Sequence, residues 1–267
     1  MPWSSWSTPV ADYCERTDPG FWAEPANAAS NLAFLIAAAM AYRRWRRAGG
    51  DDAAALGLIV IVVAVGVGSF VFHTLATRGA MLLDVGPIAV FIHGYLLLAL
   101  RRFLRLAVLI AVGVVLAFAT FSALMQMLTP VGWLGGSSGY LPALGAMIFV
   151  GVSACFGAWD TPAARTGPHD AGAARIDQVR ARAAGRMLLT AAAVFAVSLT
   201  LRSIDMAACD VFPRGTHFIW HLLNATVLYR LTCGAVDWRH DERSRSGVAV
   251  ANPGRDVGNG DGTSARF

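Results

Sequence analysis

Seven apolar runs, separated by short clusters of arginine, restrict this chain to one kind of environment. They cover roughly residues 28–42, 53–75, 81–100, 106–128, 140–159, 187–204 and 217–231. A helix needs about 20 apolar residues to cross a hydrocarbon core about 30 Å thick. Most of the runs approach that length; the first is short and the seventh is interrupted by polar residues. Hydrophobic residues make up 56% of the 267, so little chain remains for a separate soluble domain. The expected fold is an all-α membrane protein, a seven-transmembrane helix bundle over residues 28–233. A short N-terminal segment, 1–27, precedes it, and a polar, Gly-rich tail, 234–267, follows and is expected to be disordered.

The charge pattern gives a topology. Net charge is +5, all 22 basic residues are arginine, and they sit in clusters between the runs rather than on a nucleic-acid-binding face. With the N-terminus outside and loops alternating, 18 arginines fall on the inner side and four, Arg16, Arg78, Arg202 and Arg214, on the outer. Basic residues are enriched on the cytoplasmic side of membranes, so the expectation is N-terminus outside and C-terminus cytoplasmic. Residues 1–20 lack the basic start and apolar stretch of a secretory signal. No lysine exists to form a Schiff base with retinal, which excludes a rhodopsin-type pump. No internal repeat supports a duplicated transporter. The alanine-rich, lysine-free composition points to a bacterial plasma membrane. Residues 160–185 form a polar linker between the fifth and sixth runs.

Ionisable groups within such runs cost several kcal/mol unless paired, solvated or metal-bound, and so mark functional sites. The seventh run opens with His217 and His221, spaced i and i+4 on one helical face. The second ends with Ser69 and His73 at the same spacing, and Asp84 opens the third. Alternating topology places these chain ends on one side, so His73, Asp84, His217 and His221 share a depth. Three imidazoles with an open fourth position are the ligand set of a catalytic zinc; the competing reading is a hydrogen-bonded polar cluster joining three helices. Asn224, three residues beyond His221, is placed to support it. Arg202 and Asp205, at i and i+3, are spaced to pair.

Before the first run, Asp12, Glu15, Asp18 and Glu24 gather carboxylates that suit a hard cation such as calcium, or a merely solvated segment. Cys14 and Cys209 both fall on the outer side, where a disulfide persists; a bond between them would tie the N-terminal segment to the start of the seventh helix. Cys155 and Cys233 lie toward the inner side and are expected free.

In this order, the blocks resemble the alkaline ceramidases, seven-span zinc-dependent lipid amide hydrolases of a wider superfamily that includes adiponectin-type receptors. Asp12-Tyr13-Cys14-Glu15 is similar to that family's Asp-Trp-Cys-Glu block, with Glu24 and Asn27–Asn31 as its continuation. Gly68 to Thr74, then Asp84, resemble the second block; Arg202 to Asp205, Cys209, Pro213 and Gly215 to Ala225 resemble the last. The resemblance implies zinc on His73, His217 and His221, with Ser69 and Asp84 as the catalytic pair. It implies calcium on Asp12, Glu15, Glu24 and the Tyr13 carbonyl. Thr17 stands where the family has an Asn ligand, with Asp18 as its possible substitute, and Tyr13 replaces Trp. It implies a Cys14–Cys209 disulfide and ceramide as the membrane lipid substrate. Two alternatives remain: a related zinc hydrolase acting on another N-acyl lipid, and a seven-span receptor with a structural zinc.

Overall fold

Helix starts and stops follow from a few capping residues. The structure, a computed structural model, describes residues 6–130, 132–156 and 168–251. Helix α1 (Pro25–Ser30) opens on proline and passes through Asn31 into α2 (Leu32–Arg47). Helix α3 (Ala53–Leu75) is capped by the Asp52 side chain, which accepts from the Ala55 N–H at 3.2 Å. It ends at Ala76, whose φ of 42° turns the chain, and the Thr77 hydroxyl caps α4 (Arg78–Arg102). Then come α5 (Val108–Leu128), α6 (Leu141–Phe156), α7 (Pro168–Ser203) and α8 (His217–Ala251). No strand occurs among the described residues; a single bridge pairs Pro9 with Thr77.

The long helices close into a ring. Helix α2 packs on both α3 and α8, α3 on α4, α6 on α7, and α7 on α8. Helix α5 leans on α4 from outside, and Ala111 is its one buried residue. The polarity is reversed relative to a soluble domain: Leu109 and Met127 of α5 are more than 80% exposed, while His73, Asp84, His217 and Asn224 face inward. Among the described residues, five helices are long and apolar enough to cross a membrane: α3, α4, α5, the stretch Ser138–Phe156 and the part of α7 from Arg175. The protein is therefore read as a multi-pass membrane protein. Helices α2 and α8 fall outside that group, α2 because 16 residues reach only about 24 Å.

Two expectations about the polar segments change. The chain from 234 is not disordered at its start, because α8 continues past its apolar run to Ala251. Trp238 is buried there, with the Arg180 guanidinium 4.4 Å from its ring centre, and the Arg102 guanidinium donates to the Ala235 carbonyl. Residues 252–267, the rest of the expected tail, lie outside the described residues. The linker expected over 160–185 is helical from Pro168 onward; residues 157–167 lie outside the described residues.

At the arginine-rich end, Arg102 donates two hydrogen bonds of 2.7 Å to the Asp52 carboxylate. Burial alone would raise the Asp52 pKa, but the Arg102 bonds outweigh it and hold the carboxyl below its usual range. A depressed folded pKa stabilises above the unfolded value near 3.8, and that stability is lost as pH falls through the folded value. Asp52→Asn is expected to cost about 2 kcal/mol near neutral pH, since it leaves the half-buried Arg102 without its charged hydrogen-bond partner. Thermal unfolding in detergent at pH 7 and below pH 4 measures this; the two proteins should converge in acid.

Candidate metal centre

Four separate stretches of chain build the site. The α3–α4 crossing supplies the first. A Cβ on Gly68 would lie 1.9 Å from the Leu83 carbonyl oxygen, so only glycine allows α4 this close. Pro87, one turn on, lacks the N–H that would bond that carbonyl, which therefore turns toward Gly68. The close crossing sets the next residue of each helix, Ser69 and Asp84, close enough to interact. His73 follows one turn after Ser69 and is fully buried.

The start of α8 supplies the other two histidines. Gly215 takes φ +63° beside the Asp205 carboxylate, and its would-be Cβ lies 2.1 Å from Asp205 Oδ1. Buried Asp205 accepts from the N–H groups of Thr216 (2.6 Å), His217 (2.9 Å) and Cys14 (3.0 Å). It thus caps α8 and pins the N-terminal segment with one carboxylate. The same junction carries the Cys14–Cys209 disulfide, with Cα atoms 5.4 Å apart.

His73, His217 and His221 converge, their ligand atoms lying within 4.8 Å of one another and all three buried. Their hydrogen bonds set which nitrogens stay open. His73 Nδ1 lies 2.6 Å from Glu24 Oε2, so it donates to the carboxylate and leaves Nε2 with its lone pair. That Nε2 is buried without a hydrogen-bond partner, as is His217 Nδ1. Ser30 Oγ lies 2.8 Å from the Asn27 carbonyl and 2.7 Å from His221 Nδ1. The carbonyl only accepts, so the single hydroxyl proton goes there and His221 Nδ1 donates to Ser30. Its Nε2 is left as an acceptor. Carboxylate- and hydroxyl-oriented imidazoles with open nitrogens are what a zinc site requires, and the donor set fits that ion.

Glu24 is central to this arrangement. Burial alone would raise its pKa, but hydrogen bonds from His73, Asn27 and Arg16 prevail and hold it below the usual carboxylate range. Tyr13 roofs the triad, its ring stacked on His217 at 3.8 Å between centres and 26° between planes. Burial pushes the Tyr13 phenol up, so it remains a neutral hydroxyl, reached by an Arg202 N–H at 3.4 Å. Arg202 also donates to Ser137 and the Gly135 carbonyl and lies over the Tyr140 ring. Beneath the site opens an apolar cavity of about 80 Å³, with Ser69, Asp84, His221 and Asn224 at one end and Ala99 and Leu231 deeper in.

The structure places His73, His217 and His221 together, with Ser69, Asp84, His221 and Asn224 lining the adjoining cavity. It does not bring together the residues predicted to hold calcium. Among the described His, Cys, Asp and Glu residues, the histidine triad is the converging group; Asp12, Glu15 and Glu24 do not form one. Glu15 accepts the Ala26 and Asn27 N–H groups, each at 2.8 Å, and so caps α1. Glu24 is committed to His73, Asn27 and Arg16, while Asp12 and Thr17 are exposed. Tyr13 matters through its ring and hydroxyl as well as its carbonyl. Arg202 and Asp205, predicted as a pair, bind different partners because Asp205 is consumed by three backbone N–H groups. Sequence reasoning missed Ser30, Arg16 and the bond from Glu24 to His73. Only Glu24 carried a signal, as a carboxylate next to a helix start.

No curated protein matches the chain. The family model described as Ceramidase matches residues 7–247, which is nearly its whole length and takes in every residue of this site. By that match, the chain belongs to the ceramidase family.

Proposed function

We propose that the protein is a zinc-dependent intramembrane hydrolase that cleaves the amide of ceramide into a sphingoid base and a free fatty acid. The observation that carries this is the buried histidine triad, the open nitrogens of His73 and His221 set by Glu24 and Ser30, with Ser69 and Asp84 beside each other at the mouth of the apolar cavity. Zinc held by His73, His217 and His221 would supply Lewis acidity, making water a usable nucleophile near neutral pH. Asp84, a carboxylate that ligates nothing in the triad, takes the proton of the attacking water and returns it to the leaving amine. Ser69 donates a hydrogen bond to the carbonyl oxygen as negative charge develops on it. Arg202 and Tyr13 close the outer side, keeping bulk water from the amide.

The cavity receives the acyl chain. Its lining on α4 runs from Asp84 to Ala99, which at 1.5 Å per residue is about 20 Å along the bundle. Helices α2 and α8 complete seven spans over residues 28–233, with 1–27 outside, the C-terminus cytoplasmic and the site on the non-cytoplasmic side. Reporter fusions at both termini test that topology.

The deciding experiment is metal analysis of detergent-purified wild type and His217→Ala, with ceramide hydrolysis assayed on the same samples. About one zinc per chain is expected in wild type, and its loss together with activity in the variant. Zinc without ceramide turnover would move the substrate to another N-acyl lipid. Wild type free of zinc would end the hydrolase reading.

A further inference from the structure

The cation of the N-terminal segment is already present in the chain. Arg16 has a side chain only 5% exposed, and its guanidinium is surrounded by oxygen. Its Nε donates to Glu24 Oε1. One terminal nitrogen donates to the His73 carbonyl at 2.9 Å, and the other reaches the carbonyls of Asp18 and Gly20 at 3.3 and 3.4 Å. One carboxylate and three carbonyls around a buried positive charge are the donor types that a hard divalent cation takes from a loop. Here they converge on a guanidinium instead.

We propose that Arg16 is a built-in cation which takes the place of calcium in this segment and positions Glu24 for its bond to His73. The residues present do not fit calcium. The ion would have to share Glu24 with a buried arginine of like charge, Glu15 is spent on the start of α1, and the Asp18 carboxylate accepts the Gly20 N–H. The arrangement also explains how Glu24 holds its place. Oε1 is fixed by Arg16, which leaves Oε2 to accept from His73 Nδ1 and Asn27 Nδ2. Arg16 thus acts on the metal centre through one intervening side chain and is a positioning residue, touching neither substrate nor metal. Its bond to the His73 carbonyl ties the same arginine to the backbone of the ligand that Glu24 orients. This role toward His73 rests on the zinc reading; the exclusion of calcium does not.

The test uses full-length protein in detergent and needs no lipid substrate. Wild type is titrated with calcium and with a calcium chelator while thermal unfolding and zinc retention are followed; no shift in either is expected. Stabilisation of wild type by calcium, reversed by the chelator, would overturn the proposal. Arg16→Ala is expected to weaken zinc retention about 10- to 100-fold, as loss of an outer partner of a ligating histidine does. Millimolar guanidinium or calcium should restore part of that loss, because either returns a cation to the same oxygens. Arg16→Ala with unchanged zinc retention, or a loss that neither cation relieves, would also overturn it. If the variant does not fold, the wild-type titration still decides. Wild type that binds no zinc would sink the hydrolase reading while leaving the calcium result standing.

Discussion

Asp84→Asn is expected to keep zinc at the wild-type level and cut ceramide turnover about 100- to 10,000-fold, the range general acid–base catalysis supplies. Asp84 lies outside the converging triad, so the metal should remain. Asparagine keeps the shape and an oxygen to accept from Ser69, so the α3–α4 crossing should hold. What it lacks is a group that takes up a proton and gives it back. The loss should therefore fall on kcat with KM little changed. Loss of zinc in the variant would make Asp84 a structural residue, and undiminished turnover would place the base elsewhere. A receptor with a structural zinc predicts no hydrolysis in either protein.

Gly68→Ala should be the most damaging change of a single methyl group in the bundle. The added carbon would sit 1.9 Å from the Leu83 carbonyl oxygen, which belongs to helix backbone and has no rotamer to escape into. The helices must separate, at a cost of about 3 kcal/mol, the upper end of ordinary overpacking. Ser69 and Asp84 are the residues next to that contact, so they move apart first. A misplacement of about 1 Å is enough to lower turnover roughly 100-fold. Thermal unfolding and turnover should fall together, whereas Gly57→Ala, at a helix position with open space around it, should change neither. Equal behaviour of the two variants would mean that the close crossing is unimportant.

Helices were more legible in the sequence than bonds between them. The second apolar run predicts residues 53–75, which are the limits of α3, because Asp52 caps it and its polar residues, Ser69, His73 and Thr74, enter only in the last two turns. The last helix was harder: past Leu231 the sequence turns polar, and its continuation is held by Arg102, Arg180 and Asp237, contacts no periodicity reveals. The triad was legible because two i, i+4 spacings and one topology count place three histidines at one depth. The acidic segment is harder to read for a physical reason. Carboxylates near a membrane surface look alike in sequence whether they hold a cation, cap a helix or orient an imidazole. Here Glu15 does the second and Glu24 the third, with Arg16 bonded to Glu24.

The order in which the parts of this site leave the ribosome has a consequence for biogenesis. Glu24, Ser30 and His73 emerge early, but His217 and His221 arrive only with the final helix, and the partner of Cys14 is 195 residues away. A chain released before α8 holds one histidine of the three and an unpaired Cys14, yet it already contains the helices that insert most readily. Membrane insertion therefore would not report a complete site, whereas on the proposed zinc reading metal uptake would. Truncated chains should accumulate as inserted but metal-free species with a free thiol, separable from the finished protein by thiol labelling.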